Sequence, residues 1–219
     1  MSTFPAYLPC ESQSLVQFDR GTLTYQVIYS WWHIRRATAR LLAAQPDEIF
    51  LLMLVTVSTL GAAIAWLIRA VIVPGPDGLV LTGLPLQTLA AVIVGRFIGF
   101  YVLSAVLAAA CRRAGGWGSD RDTRFAVFWA ALVAMPIDVA SALTLAALYA
   151  LAAWFPLLGS AQSMQSFYWI GLLAFVWFLS GTLMQVHMFR SQSRVFLYLS
   201  LASLVAVLLA LYFWSQLFI

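Results

Sequence analysis

Residues 125–155 read FAVFWAALVAMPIDVASALTLAALYALAAWF, and the one charged side chain among them is Asp138. A run of that length exceeds the roughly 20 apolar residues a helix needs to cross a ~30 Å hydrocarbon core at 1.5 Å per residue. Working outward, four more runs of the same kind lie at about 49–73, 84–110, 167–189 and 195–219. The whole chain is 63% hydrophobic and 9% charged, against roughly 45–50% and about 25% in soluble domains. Its mean hydropathy is +0.92. A soluble domain of 219 residues leaves much of its surface in water and cannot hide so much apolar area. That excludes a soluble enzyme, a nucleic-acid module and a disordered linker. The expected fold is an all-α integral membrane protein, a five-transmembrane-helix bundle with an N-terminal amphipathic interfacial helix. The run at 125–155 is overlong, so it tilts, kinks at Pro136 or ends in an interfacial turn near Trp154-Phe155-Pro156.

The charges give an orientation. All 12 basic residues are Arg. Arg20, Arg35, Arg36 and Arg40 precede the first run; Arg112, Arg113, Arg121 and Arg124 separate the second from the third; Arg190 and Arg194 separate the fourth from the fifth. The loops between runs one and two, from Pro74 to Gly83, and between runs three and four hold none. The positive-inside rule makes the arginine-rich side cytoplasmic. The expected N-terminus is cytoplasmic and the C-terminus, Ile219, is periplasmic. Arg-only, Ala- and Leu-rich usage points to a GC-rich bacterial genome, hence a bacterial inner (cytoplasmic) membrane.

Residues 1–22 form a mixed, flexible N-terminal segment, with no basic stretch and apolar core of the signal-peptide kind. Residues 23–45 read as the amphipathic helix. Leu23, Val27, Trp31, Ile34, Leu41 and Leu42 fall on one face at 100° per residue, opposite Gln26, His33, Arg36 and Arg40. Trp31, Trp32, Arg35, Arg36 and Arg40 form an interfacial lipid-binding set, since anionic lipid attracts each Arg by about 1 kcal/mol. Packing of this helix on the protein's own cytoplasmic surface fits the pattern equally well. Residues 46–219 hold the five spans, opened by Pro46-Asp47-Glu48, a proline and acids suited to a helix start.

Within the spans, Arg96 and Asp138 stand out. Arg96 lies 15 residues before Cys111, and Asp138 lies 14 after Arg124. Both depths are roughly 20 Å from the cytoplasmic ends. Unpaired charge there costs about 2.5–3.5 kcal/mol even on an insertion scale. An Arg96–Asp138 intramembrane pair between spans two and three is expected. It serves either as a structural pin setting helix register or as a site for a proton, an anion or a lipid headgroup. Arg69, near the outer end of span one, is expected to snorkel outward. Gly95 and Gly99 form a GxxxG pair for helix packing within the bundle or for an oligomer face, and Gly61 and Ala65 form a second small pair. His187 reads as a capping or interfacial residue rather than a ligand. Cys10 and Cys111 are isolated thiols. No catalytic motif, metal-ligand set or cofactor motif is found, and the chain has no Lys for Schiff-base or P-loop chemistry.

Cys111-Arg112-Arg113, then Gly115-Gly116-Trp117-Gly118, then Arg124-Phe125-Ala126-Val127-Phe128-Trp129 and on to Met135-Pro136 make a further pattern. A Gly-Gly turn followed by an aromatic apolar run reaching a mid-span proline resembles bacterial members of the Yip1 family, over about residues 40–215. The five-span topology and the Pro46 start fit as well. The resemblance implies topology more than activity. Eukaryotic relatives are Golgi and ER proteins linked to small GTPases. Their polar N-terminal region with its Asp-Leu-Tyr-type motif is missing here, so GTPase binding is not carried over. The expected function is non-enzymatic: a multi-pass membrane adaptor, organiser or accessory subunit of a larger membrane complex. Its partners are the lipid bilayer and a larger complex or homo-oligomer, not nucleic acid. The alternative is a small transporter or channel using Arg96 and Asp138.

Overall fold

The computed structural model describes residues 23–72, 86–152, 154 and 161–217. The segment expected at 1–22, the loop at 74–83, and Phe155-Pro156 of the expected interfacial turn lie outside the described residues. Six helices are described: α1 Leu23–Ala43, α2 Glu48–Ile72, α3 Leu86–Arg113, α4 Asp120–Leu151, α5 Ala161–His187 and α6 Gln192–Leu217. Among the described residues there is no strand. Five helices, α2 to α6, are long and apolar enough to cross a membrane.

Helix α4 is the hub, packing against α1, α2, α3 and α5, while α6 packs on α5. Its first half is buried without interruption from Phe125 to Ala134. A helix buried all round has no polar face to give to solvent, which is why this stretch shows no amphipathic stripe. Phe125 and Trp129 stack at 6.3 Å, and Tyr101 of α3 meets Phe128 edge-on at 5.2 Å. Pro136 sits inside α4, which continues as one helix to Leu151. At 32 residues it is about 48 Å long, so the excess over a ~30 Å core is carried as helix. Just past its end, Trp154 N–H donates to Leu151 O at 2.9 Å.

Pairwise contacts fix the helix directions. Glu48 and Arg124 pair at 2.9 Å where α2 and α4 begin, and Arg69 meets Asp138 farther along both. These two helices therefore run the same way. His187, ending α5, reaches Thr123 at the start of α4, so α5 runs opposite. Trp177 and Phe196 pack edge-on at 5.4 Å, and Gln192 Nε2 donates to Ser180 Oγ at 3.4 Å, which sets α6 antiparallel to α5. The connections α3–α4 and α5–α6 thus lie together, forming an arginine-rich end.

That end is tied tightly. Ser119 and Asp122 form a reciprocal capping box at the start of α4. Arg121 Nη2 donates to Pro46 O at 2.6 Å, and Arg112 pairs with Asp120. Gly115 takes φ +85° and closes α3, with Gly116 N–H donating back to Cys111 O at 2.8 Å. Met188 performs the same closure for α5 at φ 58°, with Phe189 N–H on Met184 O at 3.1 Å.

Helix α1 is bent at His33, whose backbone is non-helical (φ −137°, ψ 47°). Val27, Ser30, Ile34, Ala37, Thr38 and Leu41 are buried against α4 and α5. This is the own-surface packing that the amphipathic pattern allowed. Ile34 fits over Gly181, where an added Cβ would stand 2.7 Å from the Ile34 side chain. Pro136 has no N–H to give to Leu132 O, which loosens the ladder there. One residue on, Val133 O accepts from Trp31 Nε1 at 3.0 Å. Several other buried hydroxyls bond to carbonyls of their own turn, as Thr38 does to Ile34 O at 2.7 Å and Ser180 to Trp177 O at 2.7 Å.

The closures differ in a testable way. Gly115→Ala forces a side chain into the left-handed region, at roughly 1 kcal/mol. Met188→Gly relieves the same strain. Thermal unfolding in detergent is expected to show a lower midpoint for the first and no loss for the second.

Candidate functional site

The charged cluster forms where α2, α4, α3 and α5 face one another. Asp138 and Ser141 are three apart on α4 and so share a face. Arg69 of α2 reaches both: its Nη2 donates to Asp138 Oδ1 at 2.6 Å, to Ser141 Oγ at 2.7 Å and to Asp138 O at 3.1 Å. Ser141 Oγ in turn donates to Asp138 O at 2.7 Å. The Arg69 side chain is 10% exposed and that of Asp138 23%. Gly171 of α5 makes room for the carboxylate, since a Cβ there would lie 2.6 Å from Asp138 Oδ1.

Two expectations are corrected. The partner of Asp138 is Arg69, not Arg96, and Arg69 does not snorkel outward. The reason is the direction of Cα–Cβ bonds, which lean toward a helix's N-terminus. On α2 that lean carries Arg69 back along the bundle, toward the level of Asp138. Sequence spacing placed Arg69 too far along its span for the pair, because spacing counts Cα positions and not the reach of the side chain.

Arg96 nevertheless faces the same place. With Phe100, Met135, Asp138, Gly171 and Phe175 it lines a cavity of about 330 Å³. Its guanidinium carbon lies 4.7 Å over the Phe100 ring, a cation–π contact. Its Nε is buried with no hydrogen bond, and among the described residues no ion pair reaches it. The site thus holds a carboxylate paired with one arginine, and a second arginine, stacked on Phe100, that lines the cavity beside it. This arrangement has the chemistry to hold a polar headgroup or an anion. Among the described residues, Asp138 is the one acid in the cavity wall.

The interfacial set divides. Trp31, Trp32, Arg35 and Arg36 line one cavity of about 640 Å³, joined by Trp177, Gln185 and Gln192 from α5 and α6. Arg40 stands apart, its guanidinium 5.1 Å over the Tyr29 ring. The bend at His33 makes that long-range meeting within one helix feasible.

Gly95 and Gly99 do not pack within the bundle. Both are exposed, and a Cβ on either would meet nothing within 4 Å. The contact expected of them is made instead by Gly61, which lies against Met135 of α4, with Ala65 buried beside it on the same helix face.

His187 holds a position that sequence reading missed. Gly118 N–H donates to its Nδ1 at 3.2 Å, which leaves Nε2–H to donate to Thr123 Oγ1 at 3.0 Å. Thr123 Oγ1–H continues to Ser119 O at 2.8 Å. Gly116 and Gly118 wrap the ring so closely that a Cβ on either would fall within 3 Å of it. The Gly115-Gly116-Trp117-Gly118 string was the available signal, since alternate glycines mark close backbone approach. Among the described residues no three His, Cys, Asp or Glu side chains gather as metal ligands.

Compared with protein-family models, curated proteins and solved structures, the chain matches none.

Removing one partner from a buried ion pair strands the other, at about 3–5 kcal/mol. Arg69→Met is therefore expected to destabilise strongly, and Arg69→Met with Asp138→Leu to recover most of the loss. Arg96→Met is expected to cost less than Arg69→Met. Unfolding midpoints in detergent check the order; equal losses at the two arginines would mean that Asp138 depends on both.

Proposed function

We propose that this is a non-enzymatic multi-pass membrane protein of Yip1-like type, an adaptor, organiser or accessory subunit that works through lateral contacts in the bilayer. One observation carries the reading: the outward face of α3. Ala91, Gly95 and Gly99 recur there at every fourth position, all exposed, with Val102 and Val106 beyond them. Small residues at that spacing let a second helix approach closely. The commitment of Asp138 to Arg69 and Ser141 agrees with a structural pin. The arginine-rich end faces the cytoplasm of a bacterial inner membrane by the positive-inside rule, with the C-terminus periplasmic. In that orientation α1 meets the inner headgroup layer through Trp32, Arg35 and Arg36.

A transporter or channel is the second reading, and the place of Arg96 in the cavity wall beside Asp138 supports it. It predicts flux or ligand binding that collapses in Arg96→Met while the protein still folds.

The test is native mass spectrometry after mild-detergent purification. A stoichiometric protein partner or a homo-oligomer is expected. Gly95→Leu with Gly99→Leu is expected to abolish that association with the unfolding midpoint unchanged, because a Cβ at either position meets nothing within 4 Å among the described residues. A wild-type protein found alone, or an association indifferent to these substitutions, would sink the lateral-contact reading.

A further inference from the structure

A cleft of about 550 Å³ opens at the arginine-rich end between α3 and α6. Leu107 and Ala110 form one wall, Leu199 and Ala202 the other, and Arg190 and Arg194 stand in its lining where α6 begins. The rest of the lining is almost wholly apolar. Both arginines are exposed, and among the described residues no carboxylate pairs with either. The first turn of α6 carries no acid, so the positive end of the helix adds to the same field. From Arg194 to Ala202 the cleft runs about 12 Å along the helix axis, which is most of one leaflet of a ~30 Å core.

We propose that this cleft is a binding site for one anionic phospholipid, with an acyl chain between α3 and α6 and the phosphate on Arg190 and Arg194. The shape and the charge agree on such an occupant. An apolar slot capped by cations at one end matches a molecule with a tail and an anionic head. Guanidinium groups take phosphate oxygens in pairs, with charge-assisted hydrogen bonds. A zwitterionic lipid fits the slot but leaves the two arginines without net compensation. The site is independent of the small-residue face of α3, which lies toward the other end of that helix.

The test reconstitutes the full chain in vesicles of equal phosphatidylglycerol and phosphatidylcholine, extracts it in mild detergent and counts retained lipid by native mass spectrometry. Wild type is expected to retain one phosphatidylglycerol in preference to phosphatidylcholine. Arg190→Ala with Arg194→Ala is expected to lower that preference by roughly tenfold or more, each arginine near a membrane surface being a sizeable contribution. Ala110→Phe, at an exposed wall position, fills the slot without altering charge and is expected to abolish retention. It also keeps the proposal testable if the double arginine variant fails to fold. No headgroup preference in wild type would overturn the site. So would retention that survives Ala110→Phe, which would leave general surface attraction as the cause. A protein chain held in place of lipid would overturn it as well.

Discussion

A carboxylate in the middle of a helix surrounded by hydrocarbon has to be answered from within the protein, because lipid offers neither charge nor hydrogen bonds. Asp138 is that carboxylate, and Arg69 answers it while also engaging Ser141. The pair fixes how far α2 and α4 slide past one another. The Glu48–Arg124 pair fixes the same register at the other end of the contact. Between these two points Gly61 and Met135 bring the helices together. At the same carboxylate, Gly171 lets α5 close in.

The arginine-rich end has a second organising group in His187. Its two ring nitrogens join the loop after α3, the first turn of α4 and the last turn of α5. The surrounding glycines are small because the backbone must touch the ring. Several arginines that orient the chain by their charge are thus also structural ties: Arg112 to Asp120, Arg121 to Pro46 and Arg124 to Glu48. Among the described residues Arg190 and Arg194 have no such tie, and that difference separates the arginines of the fold from those turned to the surroundings.

The periphery is organised differently from the centre. α3 and α6 expose long apolar faces, including Val94, Ile98, Leu201 and Leu208. In a membrane such faces are satisfied by lipid tails, so exposure alone marks no site. What stands out on them is departure from plain apolarity: a stripe of small residues on α3, and a cleft with cations at one end beside α6.

Chemical character determined most of what the sequence alone made plain. Apolar runs of spanning length, with arginines confined to alternate connections, follow from the bilayer's thickness and from the cost of charge in hydrocarbon, and neither depends on which helix neighbours which. Asp138 and Arg96 were legible as anomalies for the same reason. Their neighbours were not legible: which arginine pairs with Asp138 depends on α2 and α4 running side by side, and on an Arg69 side chain that leans back along its helix. The two glycine pairs show the limit again. Gly61 and Gly95 look alike in sequence, yet one lies against Met135 and the other faces outward, because only the rotation of each helix in the assembled bundle decides what a small residue meets. The grouping of His187 with Gly118 and Thr123, which are 69 and 64 residues away in sequence, is likewise a product of tertiary packing.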